Sequence, residues 1–258
     1  MLSLVVALLV LPGRAGVWGS IGCSAVALVA SASPWRPSGD AVWSETLNDN
    51  EGAGHLAAID MGHLPMASRT GWNHDGLGGL VSHLHRAGMR PILPDGPLEG
   101  WIDAVDLLVM PTPLIDLDPE SFEALEGWVE KGGEVLLTAR PDSVDGGSRV
   151  KQHLGITIAD LPLGPAEVDA LGGRAKFRCA YSIDSMPAEA LTLGEAYGAA
   201  CMVWIPRGEG GWLVLSDDRF LLNDNLEGQE LYVPETSDFV LRALAFLDDR
   251  TVAPNPKN

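Results

Sequence analysis

The chain of 258 residues carries 35 acidic against 17 basic side chains, a formal charge of −18. Such a charge repels duplex nucleic acid, which is excluded as an expected partner class. The length beyond an atypical N-terminal region suffices for one sizeable core.

Residues 2–12 are almost wholly apolar, and a weaker apolar stretch runs from Val17 to Ala32 after Gly13-Arg14. The first is too short to cross a bilayer, which takes about 20 residues as a helix. Three readings fit. A secretory signal would end at Ala30-Ser31-Ala32, with Arg14 as a late positive region. A helical hairpin would turn at Pro12-Gly13, and an uncleaved anchor is the third. Ser20-Ile21-Gly22-Cys23 resembles a lipoprotein box except for Ser20 in place of a large aliphatic residue. All three put the folded part at or beyond a membrane. Residues 1–33 are therefore expected to be a hydrophobic signal or membrane anchor. Residues 34–54, with Pro34, Pro37, Gly39, Gly52 and Gly54, read as a linker. Residues 55–248 form the domain and 249–258 a tail.

The first strand is predicted at His55–Asp60, followed by a bent segment from Met61 to Pro65. A loop through Asn73, His74 and Asp75 leads to a helix over Gly76–Ala87, closed by Gly88, with Leu77, Leu80, Val81 and Leu84 as its apolar face. His83 and His85 stand two apart on that helix, share no face and read as solvated. Arg90–Leu93 is a short second strand. The clearest pattern comes next. Leu107–Met110 is an apolar run stopped by Pro111-Thr112-Pro113. Asp118 offers an N-cap oxygen, and Pro119 sits where a missing N–H costs nothing. Phe122, Leu125, Trp128 and Val129 recur at helical spacing, Gly132-Gly133 supplies the stop, and Glu134–Ala139 is another buried strand. Strand, helix, strand at this spacing predicts a parallel βαβ unit in an α/β domain with helices on both faces.

A helix over Gly147–Leu154 ends at Gly155. From Ile156 to Pro206 the pattern changes to short strands, Ala175–Ile183 and Ala199–Ile205, read as an antiparallel extension or edge hairpin. Trp212–Ser216 is again a buried strand, and Phe239, Val240, Ala243, Leu244 and Leu247 mark a closing helix over Ser237–Leu247. Cys23, Cys179 and Cys201 fall in no zinc or redox spacing. A Cys179–Cys201 disulfide and two buried free thiols both fit the pattern.

Three blocks carry a family resemblance: Ile59-Asp60-x-Gly62-His63, then Trp128 to Leu137 around Gly132-Gly133, then Gly211 to Leu226 with Asp217, Asn223 and Asn225. Together they resemble an uncharacterised bacterial family within the class I glutamine-amidotransferase-like superfamily, related to auxiliary domains of gliding-motility ABC transporters. The resemblance covers about residues 55–248. It implies a flavodoxin-like three-layer sandwich with a mainly parallel sheet and a small antiparallel extension, often membrane-tethered. True amidotransferases of this fold carry a nucleophilic Cys on a glycine-flanked elbow, with a His and an acidic partner later. Here Thr138-Ala139-Arg140-Pro141 follows the strand, neither Cys179 nor Cys201 has glycine on both sides, and no His lies beyond His153. Amidotransferase chemistry is not expected.

Ligands of an open parallel sheet bind at the carboxyl ends of its strands, near the switch in strand order. The candidates there are Asp60 and His63, Thr112, Arg140, Ser216, Asp217 and Asp218, with Asn223 beyond. Asn73 and His74 precede a helix N-terminus, where N–H groups favour an anion. Histidine with carboxylate suits zinc or a small polar ligand. The competing reading makes Asp60 and Asp217 loop caps, His63 a backbone partner, and Asn223 and Asn225 turn formers. Gly76-x-Gly78-Gly79 has the spacing of neither a dinucleotide fingerprint nor a P-loop, so no cofactor is expected. The expected function is a non-catalytic binding or scaffolding domain at the bacterial envelope, with membrane or envelope proteins, ABC-transporter components among them, as partners. The alternative is a metal-assisted hydrolase using Asp60, His63 and Asp217.

Overall fold

The computed structural model describes residues 55–63, 73–94, 96–141, 148–226 and 234–248. The signal or anchor, linker and tail expected at 1–54 and 249–258 lie outside the described residues. The strands are β1 (Leu56–Ile59), β2 (Arg90–Ile92), β3 (Leu107–Pro111), β4 (Glu134–Thr138), β5 (Thr157–Ala170), β6 (Gly173–Ser185), β7 (Leu191–Ala196), β8 (Ala199–Arg207) and β9 (Gly210–Leu215). The helices are α1 (Gly78–Arg86), α2 (Pro119–Glu130), α3 (Ser148–Leu154), α4 (Asn223–Leu226) and α5 (Pro234–Asp248), with 3-10 turns at Leu98–Gly100 and Ile102–Ala104.

Seven strands form one sheet in the order β2-β1-β3-β4-β9-β8-β7. The pairs from β2 through β9 are parallel, while β8 and β7 join antiparallel. This is the expected α/β sandwich with a mainly parallel sheet and an antiparallel extension. Every residue of β3, β4 and β9 is buried, because helices cover both sides. Alternation within each strand sorts the core into two clusters. Ile59, Val109, Leu136 and Leu213 join Leu80, Leu84, Phe239 and Leu244 of α1 and α5 on one face. Ala58, Leu108, Val135 and Val214 join Leu125, Trp128, Val150 and Leu154 of α2 and α3 on the other.

The βαβ unit forms for the reasons its sequence suggests. Asp118 Oδ1 accepts the N–H groups of Glu120 and Ser121 at 3.0 Å, capping α2 ahead of Pro119. At the other end Gly133 lies under the Trp128 indole, where an added Cβ would come within 2.2 Å of the ring. The β8–β9 turn finishes the helix from outside, as Glu209 N–H donates to the Glu130 carbonyl at 2.9 Å.

Two readings are corrected. The stretch from Ile156 to Pro206 holds four strands rather than two short ones. Strands β5 and β6 form a separate hairpin of 14 and 13 residues. Its register shifts repeatedly between Thr157 and Ala166, so the period-two signal through Pro162, Gly164 and Pro165 is lost. His83 is fully buried, not solvated. It lies one turn from Leu80 on the apolar face, where its Nδ1 donates to the Gly79 carbonyl at 2.7 Å and its Nε2 accepts from the Ser237 hydroxyl of α5.

The hairpin belongs to both faces. Val168, Ala175 and Phe177 enter the α1–α5 cluster, whereas Ile158 and Ile183 enter the α2–α3 cluster. Between them it passes over the carboxyl end of β9. There Tyr181 N–H donates to the Ser216 carbonyl at 2.9 Å and the Ser216 hydroxyl donates to the Tyr181 carbonyl at 2.5 Å.

Candidate functional site

The chain runs from β1 out to β2 and returns to β3 on the other side of β1, so the strand order switches between β1 and β3. That switch, at the carboxyl ends, is where open α/β sheets bind their ligands. Asp60 is the first residue past β1, its backbone N–H held by the Val109 carbonyl at 2.9 Å. Its Oδ1 accepts Gly62 N–H at 2.9 Å, and its Oδ2 lies 2.8 Å from His63 Nδ1. Asp60 thus both caps the turn and orients the imidazole, leaving Nε2 as the ring's other polar atom. That hydrogen bond, chiefly, holds the His63 pKa above its ordinary 6.5, with the charges of Asp60 and Asp118 adding and partial burial opposing. The His63 carbonyl accepts Leu114 N–H at 2.7 Å, which ties the segment to the loop after β3.

Thr112 follows β3 at φ 46°, a left-handed conformation uncommon for a β-branched residue. Three bonds hold it: its N–H to the Thr138 carbonyl at 3.1 Å, and its hydroxyl to Thr138 Oγ1 at 2.9 Å and the Asp218 carbonyl at 3.1 Å. Arg140, after β4, lies 3.6 Å from Asp218. The tips of β3, β4 and β9 are thereby fastened together.

The other predicted candidates act locally. Asp217 is fully buried, with Oδ2 accepting the N–H groups of Arg178 and Cys179 and Oδ1 that of Arg219 at 2.9 Å. Burial pushes its carboxyl above the ordinary range against the pull of those donors. Asn223 Oδ1 accepts Gly79 N–H at 2.7 Å, so an asparagine caps α1 where an anion was expected. Its Nδ2 donates to the Asn73 carbonyl at 2.8 Å, and Asp224 N–H donates to the His74 carbonyl at 3.1 Å. Asn73 and His74 contribute backbone there, with exposed side chains. Structure brings Asp60 to His63 and Asn73 to Asn223, and gives Asp217 a third set of partners. Among the described residues no three His, Cys, Asp or Glu side chains gather closely enough to hold a metal ion.

A cluster that sequence spacing does not announce stands beside them. Arg178 donates to the Asp224 carbonyl at 2.7 Å, and Arg219 donates to Asp224 Oδ2 at 2.5 Å. Arg219 and Asp224 are five residues apart and were within reach of a spacing argument; Arg178 comes from β6 and was not. Cys179 and Cys201 are both free thiols, and burial pushes Cys201 up to about 12.

No family model and no curated protein matches the sequence. Solved structures do. A cytoplasmic protein of Salmonella typhimurium, STM3548, is similar at TM-score 0.53 and 13% identity over 74% of this chain and 98% of that one. The N-terminal domain of mmIFT52 gives TM-score 0.54 and 14% identity over 73% and 96%. A Thermoplasma acidophilum protein described as a component of GMP synthase gives TM-score 0.47 and 12% identity over 76% and 96%. At such identities the first two show a likeness of fold alone.

Proposed function

We propose that the domain is a non-catalytic binding or scaffolding module held at the bacterial cell envelope through residues 2–32. Its partners in this reading are other membrane or envelope proteins, ABC-transporter components among them. The carboxyl edge is the observation that carries it. The acids and bases there are bonded to one another or to backbone, while Ile115, in the loop after β3, stands 53% exposed and Leu161, in β5 of the hairpin, 80%. Exposed apolar side chains next to a site where α/β domains bind their ligands favour a docking role. Ala139-Arg140-Pro141 after β4 supplies no glycine-flanked cysteine, and the burial that pushes Cys201 up to about 12 argues against that thiol as a nucleophile.

The test compares the full chain with one lacking residues 1–33. The full chain is expected in the membrane fraction, the truncated chain outside it. Cross-linking in those membranes should give a discrete adduct that Ile115→Asp with Leu161→Asp abolishes. A full chain recovered away from membranes, or saturable hydrolysis of glutamine or simple esters, would overturn the reading. A metal-assisted hydrolase is the second reading, favoured by the 2.8 Å contact of Asp60 with His63. It loses Asp217, whose oxygens serve backbone N–H groups, and requires turnover that a chelator stops.

A further inference from the structure

The long hairpin meets the last antiparallel pair of the sheet at the carboxyl edge. Strand β8 runs opposite to β9, with Met202 beside Leu215, so the β7–β8 turn at Tyr197-Gly198 lies past the carboxyl end of β9. Strand β5 passes over the same end, because its Pro162 pairs with Tyr181, whose N–H donates to the Ser216 carbonyl. The Tyr197 phenol joins the two by donating to the Pro165 carbonyl at 2.6 Å.

Unusual backbone turns two large apolar side chains outward there. Between the pairs Ile158–Ile183 and Pro162–Tyr181, β5 holds Ala159, Asp160 and Leu161 where β6 holds Ser182 alone. The surplus makes a bulge, and Leu161 on it is 80% exposed. Tyr197 and Gly198 form a turn with φ of 54° and 79°, and Tyr197 is 73% exposed. Asparagine or glycine suits the first position of such a turn better than an aromatic ring does. Pro162 and Pro165 are exposed between them. Neither has an N–H, so a guest meets side chains rather than joining as another strand.

The surroundings select the guest. Glu195, two residues before Tyr197 and so on the same side of the chain, is an exposed carboxylate. Asp184, next to Ile183 at the start of the bulge, is another. Neither has a basic partner among the described residues. A second copy of this chain brings the same carboxylates and a formal charge of −18, and an anionic lipid surface is repelled. A segment with lysine or arginine beside apolar residues fits both features. Its cations meet the carboxylates and the Tyr197 ring face, and its apolar side chains meet Leu161 and the prolines. Loops at the ends of membrane spans are rich in lysine and arginine.

We infer that the strip from Leu161 to Tyr197 docks a basic, apolar juxtamembrane segment of a membrane-protein partner. The inference rests on the envelope role proposed above and assigns that role a surface and a partner chemistry.

Fluorescence anisotropy of the full chain with a labelled peptide of leucines flanked by lysines tests it. Two counterparts carry glutamate for lysine or serine for leucine. Saturable binding of the lysine–leucine peptide is expected, at least about tenfold tighter than either counterpart. Leu161→Ser with Tyr197→Asn should weaken it at least about tenfold. Thermal unfolding should be unimpaired, since both side chains are exposed and asparagine suits the turn. Asp184→Asn with Glu195→Gln should weaken it about two- to fivefold. Glu120→Gln with Glu123→Gln, an equal change of charge at exposed positions of α2, should leave it unchanged. The inference is overturned if the glutamate–leucine peptide binds as tightly, or if no saturable binding appears. It is equally overturned if the Leu161 and Tyr197 substitutions change nothing, or if the α2 pair matters as much as Asp184 and Glu195. The titration reads the surface and membrane fractionation reads the tether, so either reading can fail without the other.

Discussion

Asp217 Oδ2 accepts the backbone N–H of Arg178 at 2.6 Å, joining the second residue past β9 to the middle of β6. The same oxygen takes the Cys179 N–H at 3.0 Å. This contact clips the hairpin where it crosses the sheet. Asp217→Asn would turn one acceptor into a donor facing donors. A loss of about 2–3 kcal/mol is expected in denaturant unfolding. A loss below about half a kcal/mol would show that the clip is dispensable.

The Asp60–His63 pair should make stability depend on pH. The folded imidazole is raised above 6.5, so the pair contributes fully below that value and fades as pH climbs through the folded pKa. His63→Gln is therefore expected to cost about 1–2 kcal/mol near pH 6 and less once the pH has passed the folded pKa, where only the neutral Nδ1–H bond to Asp60 is left. NMR titration of His63 supplies the direct check: Asp60→Asn should lower its pKa, because the hydrogen bond to Asp60 is the largest upward influence.

Two glycines near one end of α2 should respond in opposite ways. Nothing lies within 4 Å of a Cβ added at Gly127, whereas at Gly133 it would sit 2.2–2.4 Å from the Trp128 ring. Gly127→Ala is expected to stabilise by about 0.5–1 kcal/mol through helix propensity. Gly133→Ala should destabilise by about 3 kcal/mol or more, because the indole has to leave its position. Thermal unfolding of the pair decides both.

Cys179 and Cys201 should differ in reactivity. Cys201 is fully buried and pushed up to about 12, while Cys179 is partly exposed. Alkylation at neutral pH followed by peptide mass spectrometry should modify Cys179 at least about tenfold faster. Equal rates would mean that β8 opens as readily as the hairpin.

What could be read from the chain follows from the range of the interactions involved. The unit from Leu107 to Ala139 was legible because its signals are local: an apolar run, Asp118 before Pro119, Gly132-Gly133 after Val129. The pairing of Asp60 with His63 lies within four residues and was placed correctly at the first strand's end, though as separate roles rather than one hydrogen bond. Asp217 was harder. Its partners are 38 and 39 residues away, so its sequence neighbourhood shows a turn and nothing of the hairpin. Strand β5 was hidden by its own bulges, whose prolines and glycines look like loop. His83 was misread because the spacing that decides its burial is the one to Leu80 and Leu84, not the one to its companion His85. The apolar strip at the carboxyl edge joins Pro165 of β5 to Tyr197 after β7, 32 residues apart, and no spacing rule gathers those.

Because β5 and β6 place Val168 and Phe177 in one cluster and Ile158 and Ile183 in the other, neither half of the core can melt while the hairpin stays put. The two sides of the sheet are mechanically linked, and the domain should unfold in a single cooperative step. A probe on α2 on one face and a probe on α5 on the other would then report the same midpoint. A cut in the β5–β6 turn at Leu171-Gly172 would spare the packing and leave that coincidence intact, whereas deleting the hairpin would split one transition into two.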